Sequence, residues 1–502
     1  MARVIDTSLL TPDSKLDSFT DAAIYNGLDC CVTLEVLEAL QAQLTNTTAS
    51  TYAFSMSLCA PVLEMNLHGV RVDRKAVTEA ITSYREDINH IRQNLDYILK
   101  EGVGYTKPWT GAGGMDSRLA LIEIFYEVLR LPPVRKRNQA GKYVPTVNRM
   151  ALEKLKTYTI AEPIVNHILA MRDLGKKIAF LFTQVDPDGR IRTQFNIGGT
   201  VTGRLSSAFS AEGTGSNLQN VERRLRLVFI PDPGYKFCNI DLEQADSRNV
   251  GAIIHNLFGD RSYLDACNSG DLHTTVCKMT WPELPWTGAA KEDRKIADEP
   301  FYRDFSRRDA TKRLGHGSVY LGTASTMSIN TKIPLELVKT FQSRFFERFP
   351  NILKWHDHVR YQLEHDHSIT TLLGRRRNFF GRPDDEAVIR EAVAFEPQSM
   401  TADEIDQVLL SLWRTNTVEP LLQVHDSILF QYKQELEEIL IPQVLANPFI
   451  FKVKDIDFFV PMEAKVGWNW ADVEYNKDGT ICGNPNGLIK YRIGGDMRNL
   501  DR

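Results

Sequence analysis

Two acidic residues stand where apolar, strand-like stretches end. Residues 235–242 have strand periodicity before the chain turns helical near Glu243, and Asp241 lies at that turn. Residues 421–431 have the pattern of a β-hairpin with Asp426 at its tip. Asp241 alone could be a helix N-cap, but two carboxylates at the ends of buried strands are costly unless they share a cation. Paired hard oxygen ligands suit Mg²⁺, and two such ions ~4 Å apart stabilise an in-line phosphoryl displacement.

A second set of residues follows the spacing of one helix face, and its members are Arg308, Lys312, His316 and Tyr320. Each four-residue step drifts by only ~40°, so all four lie along one side of a helix. Two cations near its start, aided by the helix dipole, suit a ligand with several negative charges. Gly315 and Gly317 each cost ~1 kcal/mol in a helix interior, which predicts that something approaches this backbone closely. The alternative is a basic amphipathic surface helix.

These stretches resemble the motifs of one enzyme family. DLEQADSR (residues 241–248) resembles motif A of the family A (bacterial polymerase I-like) DNA polymerases, and QVHDS (residues 423–427) resembles their motif C. RRDATKRLGHGSVYLG (residues 307–322) is similar to motif B, while TGRLSS and NLQN (residues 202–207 and 217–220) match two further motifs. The resemblance covers residues 60–470 with its motifs in the family order.

The resemblance implies roles for individual residues in binding metal and nucleotide. Asp241 and Asp426 would bind two Mg²⁺ ions, with Mn²⁺ as a possible substitute, and Leu242 would offer its backbone carbonyl to one ion. Arg308 and Lys312 would hold the triphosphate of a dNTP, and Lys312 is also expected among the catalytic residues. The remaining residues expected at the nucleotide are His273, His316, Tyr320, Gln244 and Asp246.

The same resemblance implies contacts with primer-template DNA. The residues expected at the duplex or the primer end are Arg204, Asn220, Gln398, His425 and Arg248. The basic stretch of residues 135–149 would track duplex phosphates without reading sequence, unless it is an ordinary solvated charge run.

Several positions depart from the family pattern, among them Gly315, where the family usually has Asn. Asp246 replaces the usual Glu that blocks a sugar 2′-hydroxyl, and it is one methylene shorter. Ser427 replaces a Glu, and His316 replaces Phe or Tyr. An imidazole can form hydrogen bonds where Phe cannot, so we expect altered discrimination against dideoxynucleotides.

The fold implied is an α+β right hand with palm, fingers and thumb, preceded by a remnant of a 3′–5′ exonuclease domain. The expected divisions are an exonuclease remnant at 1–58, thumb at 59–190, palm at 191–255, fingers at 256–394, and palm with a C-terminal tail at 395–502. Tyr25 and Asp29 resemble the last exonuclease motif, but the earlier motifs of that domain are not present. We therefore expect no exonuclease activity, and a separate exonuclease subunit or replication factors are possible partners.

Composition is that of an ordinary globular protein. The 502 residues are 43% hydrophobic and 25% charged, with a net charge of −4, so any basic groove must be local. No apolar run approaches the ~20 residues of a membrane span, and the seven cysteines include no CxxC pair, so we expect a cytoplasmic, reducing location. The unusual motif letters resemble those of phage-encoded members.

The function expected is template-dependent nucleotidyl transfer from dNTPs to a primer 3′-hydroxyl. A single-subunit RNA polymerase is the alternative within enzymes, because His-Asp-Ser also occurs in that group. A catalytically inactive, DNA-binding replication module is the alternative outside enzymes.

Overall fold

The computed structural model describes residues 19–111, 114–210, 213–303, 305–476 and 479–492. Its helices, in chain order, are α1 (Phe19–Gln41), α2 (Asn46–Ser57), α3 (Cys59–His68), α4 (Arg74–Tyr97), α5 (Arg118–Ile122), α6 (Arg149–Leu155), α7 (Glu162–Leu181), α8 (Ala245–Phe258), α9 (Ser262–Asn268), α10 (Leu272–Thr280), α11 (Ala290–Asp298), α12 (Arg307–Val319), α13 (Ala324–Thr331), α14 (Leu335–Arg348), α15 (Pro350–Asp366), α16 (Glu386–Thr415) and α17 (Glu437–Leu445). Two π-helical turns, Ile98–Val103 and Glu123–Val128, continue α4 and α5.

The strands are short, and in chain order they are β1 (Val70–Val72), β2 (Arg135–Arg137), β3 (Tyr143–Pro145), β4 (Arg190–Ile191), β5 (Gln194–Asn196), β6 (Ser206–Ala208), β7 (Phe229–Ile230), β8 (Tyr235–Leu242), β9 (Pro300–Tyr302), β10 (Phe305–Ser306), β11 (Ser368–Thr370), β12 (Arg376–Asn378), β13 (Glu419–Val424), β14 (Ser427–Lys433), β15 (Ile450–Val453), β16 (Ile456–Phe459), β17 (Met462–Gly467), β18 (Glu474–Tyr475), β19 (Ile481–Gly483) and β20 (Ile489–Lys490).

Buried apolar side chains of the described residues form three separate clusters. One lies between residues 88 and 171, and a second lies between residues 250 and 400. The third joins residues 58–72, 181–264 and 405–491 around the largest sheet. Burial of apolar surface is the main force for folding, so three cores mean three packed units. These units correspond to the expected thumb, fingers and palm of a right-hand fold, while the division boundaries themselves stay predictions.

The palm core is built on a five-stranded antiparallel sheet in the order β13-β14-β8-β17-β20. β8 is the central strand, and its residues Phe237, Cys238 and Ile240 are fully buried. The hairpin β13–β14 forms as predicted, with His425 at its tip in the left-handed region at φ 59°. This hairpin therefore presents Asp426 at the end of the sheet where β8 also ends.

Helix α16 joins two of the cores. Its first half packs in the fingers cluster through Ile389 and Phe395, and its second half packs in the palm cluster through Leu409. The expected boundary between fingers and palm, between residues 394 and 395, falls inside this helix. Pro397 also lies within it, although proline usually ends or kinks a helix. Packing against both cores offsets the hydrogen bond that Pro397 cannot donate.

The thumb unit is helical, with one exposed hairpin at its surface. Residues 135–149, expected as a basic loop, instead form β2 and β3, followed by the start of α6. The cations Arg135, Lys136, Arg137 and Lys142 are all exposed. The helix predicted over residues 22–40 is α1, where Tyr25 and Asp29 are exposed one turn apart. Within the described part of the chain, no helix is long and apolar enough to cross a membrane.

Candidate active site

The register of the palm sheet lines up three polar residues in one row. Ser427 of β14 lies opposite Asp241 of β8, and Asp241 lies opposite Glu463 of β17. Directly opposed residues in antiparallel strands share a face of the sheet. Asp426 immediately precedes this row, and its carbonyl accepts a hydrogen bond of 3.1 Å from the Leu242 amide. The predicted pair, Asp241 and Asp426, therefore comes together at one edge.

Burial and neighbouring acidic groups disfavour ionisation of both aspartates. Burial, together with the negative charges of Asp426 and Glu463, raises the pKa of Asp241 to about 7. Lys465 and Arg223 act in the opposite direction without cancelling this effect. Burial also raises the pKa of Asp426, with the charge of Asp246 adding to it.

This donor set suits divalent cations. Carboxylate oxygens at one edge are hard ligands, and Leu242 lines the same cavity as Asp241 and Asp426. Like charges this close favour a proton or a bound cation. The carboxylates of Asp241 and Asp426, with the Leu242 carbonyl in the same cavity wall, therefore fit divalent cations.

Helix α12 forms the opposite wall of a cavity of roughly 930 Å³. The Ser306 side chain caps the helix, because its hydroxyl accepts from the Asp309 amide at 3.0 Å. Lys312 and His316 are exposed to the cavity, and the His316 ring lies 4.7 Å from the Tyr320 ring. The cations predicted from helical spacing thus face the acidic sheet edge across open space.

Arg308 is already engaged in this structure. Its guanidinium donates two hydrogen bonds to Asp271, at 2.9 and 3.1 Å. Asp271 also caps α10 by accepting from Thr274. Burial alone would raise the pKa of Asp271, but the hydrogen bonds from Arg308 and Thr274 hold it at about 2. Arg308 therefore stands at the predicted helix face with its direction fixed by Asp271, and it is not among the residues that line the cavity.

His273 lines the cavity beside these cations. Burial lowers its pKa to about 4, and the positive charges of Arg308, Lys312 and His316 also lower it. The imidazole is consequently neutral at pH 7. It can offer a phosphate one N–H donor but no charge.

Gly317 has a packing role that differs from the predicted one. A Cβ at this position would overlap with the Met327 side chain of α13. Gly315 lies at ordinary contact distance, 3.9 Å, from Phe341 and Phe345. The close approach expected from the paired glycines is thus made by a neighbouring helix at Gly317.

Gln244 and Asp246 lie between the two walls and line the cavity. Gln244 has φ 55° and precedes α8, which begins at Ala245. Asp246 accepts a hydrogen bond of 2.8 Å from the Thr401 hydroxyl, and an Arg204 nitrogen lies 3.8 Å from it. Burial raises the pKa of Tyr320 well above its ordinary value, and the charge of Asp246 adds to this effect.

The residues expected to touch DNA are in different environments. Asn220 and His425 are exposed, and Gln398 is partly buried in α16. Arg248 is only 5% exposed. Its guanidinium donates to the Glu243 carbonyl at 2.9 Å, to the Cys267 carbonyl at 3.2 Å and to the Asn268 side chain. These internal contacts do not support the expected DNA contact and give Arg248 a structural role instead.

Three residues at the site were missed by the motif comparison. Glu463 reaches Asp241 through strand register, Asp271 holds Arg308, and Thr401 holds Asp246. Only Asp271 left a local signal, since an Asp before a helical stretch is a common cap. The other two depend on contacts between segments far apart in sequence.

Comparison with known proteins shows which proteins this chain resembles. The family model described as DNA polymerase family A matches residues 79–472. DNA polymerase I of Thermus thermophilus, a thermostable enzyme, is 29% identical over 376 residues, which cover 70% of this chain and 41% of that protein. DNA polymerase I of Chloroflexus aurantiacus is 25% identical over 484 residues, covering 90% of this chain and 46% of that protein. The chain thus spans less than half the length of these curated relatives.

A solved structure shares the fold. The POL domain of Pol1 from M. smegmatis, in complex with DNA primer-template and dNTP, superposes with a TM-score of 0.68 at 24% identity. The superposition covers 88% of this chain and 74% of that one. With the family model matching most of the chain, the conclusion is that this protein belongs to DNA polymerase family A.

Proposed function

We propose that this chain is a DNA-directed DNA polymerase that adds nucleotides from dNTPs to a primer 3′-hydroxyl by a two-metal mechanism. One observation carries the proposal: Asp241 and Asp426 meet at a sheet edge that faces Lys312 and His316 across a single cavity. An anionic triphosphate with its cations fits between an acidic and a basic wall. Phosphoryl transfer requires mainly positioning and charge stabilisation, which these walls supply.

Asp241, Asp426 and the Leu242 carbonyl would hold two divalent ions, Mg²⁺ with Mn²⁺ as a substitute. When bound, these ions would lower the pKa of the primer hydroxyl and stabilise negative charge on the phosphates. Ser427 lacks the carboxylate that most relatives carry, while Glu463 stands across the strand from Asp241. Glu463 is already paired with Lys490 at 2.8 Å. Its negative charge is therefore neutralised within the protein, and it does not serve as a direct metal ligand.

The remaining roles belong to side chains of the opposite wall. Lys312 binds the triphosphate by charge, and Arg308, oriented by Asp271, joins it as the phosphates approach. His273 donates a neutral hydrogen bond. His316 and Tyr320, whose rings lie 4.7 Å apart, form the surface on which a base packs.

Primer-template DNA is the proposed macromolecular partner. Arg204, Asn220, Gln398 and His425 contact its backbone or minor groove, where acceptors are nearly the same for every base pair. The exposed cations of the β2–β3 hairpin bind duplex phosphates, so affinity falls as salt rises. Separate replication factors belong to the proposal only as possible partners, and phage origin stays a prediction from the motif letters.

The proposal also assigns no 3′–5′ exonuclease activity to this chain. The exonuclease resemblance is limited to Tyr25 and Asp29, which are exposed one turn apart on α1. Incubation of end-labelled primer with the protein and Mg²⁺ but no dNTP tests this point, and shortened primers would contradict it.

Primer extension tests the main proposal. Purified protein is given Mg²⁺, a primer-template and either dNTPs or rNTPs in separate reactions. Template-directed extension with dNTPs is the expected result. Preference for rNTPs would favour the RNA polymerase alternative, and tight DNA binding without extension would favour the inactive module.

A further inference from the structure

Asp246 occupies a central position in the cavity. It lines the cavity together with Asp241 and Asp426 of the sheet edge at one end and with His316 of the base-packing surface at the other. A nucleotide with its phosphates at Lys312 and its base near His316 places its sugar between these ends. Asp246 is therefore the side chain that the sugar meets, provided that the proposed function is right.

We infer that Thr401 is a specificity-determining positioning residue that fixes Asp246 against the sugar and so sets the choice between dNTP and rNTP. The Thr401 hydroxyl lies 2.8 Å from Asp246 Oδ1 and 3.0 Å from the Pro397 carbonyl. A charged carboxylate is the stronger acceptor of the two. Arg204, at 3.8 Å, lies beyond hydrogen-bonding distance of the same oxygen.

The position of Thr401 is set by its surroundings. Its side chain is on α16, only 1% of the residue is exposed, and its branched Cβ restricts rotation. Asn249 Nδ2 donates to the Thr401 hydroxyl oxygen at 3.1 Å and to Glu404 at 3.0 Å. Because Thr401 accepts from Asn249, its own proton is available to Asp246. The result is a series of two hydrogen bonds, from Asn249 to Thr401 and from Thr401 to Asp246, that ends at the cavity.

These two hydrogen bonds explain how an acidic side chain as short as Asp246 can act at the sugar. An Asp on the first turn of α8 reaches less far than a Glu, so its carboxylate needs an anchor to stay in a defined place. A buried hydroxyl on the neighbouring helix supplies that anchor. Without it the carboxylate is free to rotate, and an extra sugar hydroxyl is then less strongly rejected.

The test is the ratio of kcat/KM for dNTP to kcat/KM for rNTP in single-nucleotide incorporation on a primer-template. Thr401→Val keeps the shape and removes the donor, and we expect the ratio to fall about tenfold, as when a hydrogen bond to a charged group is removed. Thr401→Ser keeps the donor and should stay within about twofold of wild type. Both substrates are measured on the same protein, so partial unfolding cancels from the ratio.

Thr280→Val is the matched control. Thr280 is 2% exposed, and its hydroxyl donates to the Val276 carbonyl four residues earlier at 2.8 Å, a spacing like the 3.0 Å between the Thr401 hydroxyl and the Pro397 carbonyl. It contacts no carboxylate through that hydroxyl, so its ratio should not change. In an Asp246→Ala background, Thr401→Val should have no further effect, since the anchored group is gone.

An unchanged ratio in Thr401→Val would overturn the inference, as would an equal fall in Thr401→Ser or a further fall in the Asp246→Ala background. Failure of the proposed function has a different signature, because wild type would then extend no primer with dNTPs. Normal wild-type extension with an unaltered Thr401→Val ratio removes the inference and leaves the polymerase proposal standing.

Discussion

The two walls of the cavity differ in whether their charged side chains have a countercharge within the protein. On the sheet side, the pKa values of Asp241 and Asp426 are both raised, chiefly by burial, and the two carboxylates depend on ligands for countercharge. On the helix side, Arg308 already has its countercharge in Asp271, whose pKa is held at about 2. The two carboxylates without a countercharge are where we expect cations to bind. Arg308, which already has its countercharge, is held in a fixed orientation before a ligand binds. Lys312, exposed at the middle of the basic wall, forms no ion pair with the residues that the structure describes and can meet an incoming anion.

The largest expected effect comes from removing one charge of the sheet wall. Asp241→Asn should lower the single-turnover rate of primer extension by at least about 10³-fold, because metal-assisted charge stabilisation is worth several kcal/mol. The same change removes repulsion with Asp426, so the melting temperature in EDTA should stay the same or rise. A lower melting temperature with retained extension would show that this wall is structural.

Asp457→Asn is the control for that variant. Asp457 is an exposed strand residue paired with Lys452 at 2.7 Å. Exposed pairs contribute roughly 0–1 kcal/mol, so both rate and stability should be close to wild type.

Much of this contrast could be read from sequence where the signal was local. The β8 strand, the hairpin carrying Asp426 and the helix face of α12 each have their own periodicity, and all three formed as predicted. Periodicity reports which side of an element is buried, so it placed the acids and cations correctly.

What could not be read from sequence depends on packing between distant segments. The row Ser427, Asp241 and Glu463 is a matter of strand register, and the Asp271–Arg308 pair joins two helices. Arg248 was expected at DNA because its motif letter matched, but it is enclosed by its neighbours and has internal partners. The continuity of α16 through Pro397 likewise reflects two cores that hold it.

Replacement of Lys312 on the helix wall should have the second-largest effect on activity. Lys312→Ala should lower kcat/KM for dNTP by about 10- to 100-fold, the scale of removing one charge-assisted hydrogen bond from a phosphate. The control is Lys339→Ala, since Lys339 is exposed on α14 and pairs with Glu336 at 3.0 Å. If both lysine variants reduced activity equally, general surface charge would explain the result and the basic wall would have no special role.

The pH dependence of ligand binding should differ between the two walls, and metal binding belongs to the sheet wall. A carboxylate must lose its proton to bind a cation, and the pKa of Asp241 is raised to about 7. Affinity for Mn²⁺ should therefore rise with pH, by up to about tenfold between pH 6 and 8, and then level off. Titration of Mn²⁺ by electron paramagnetic resonance measures this directly. In Asp241→Asn the slope should decrease to the part contributed by Asp426, whose pKa is also raised.

Nucleotide affinity for the basic wall should lack this slope. The pKa of Asp271 is about 2 and that of His273 is about 4, so neither changes charge between pH 6 and 8. Binding of a dNTP in EDTA, followed at pH 6 and pH 8, should differ far less than Mn²⁺ binding. A parallel slope for both ligands would break the contrast between the walls.

The smallest expected effect concerns the sugar and base end of the basic wall. His316→Phe replaces a ring that can form hydrogen bonds with one that cannot, at a position exposed to the cavity and 4.7 Å from Tyr320. Packing on a base is retained by the Phe ring, so kcat/KM for ordinary dNTPs should change little. Discrimination between dNTP and dideoxynucleotide should change several-fold, in proportion to one neutral hydrogen bond. Equal incorporation ratios for wild type and His316→Phe would mean that the imidazole acts at this wall only as a flat surface.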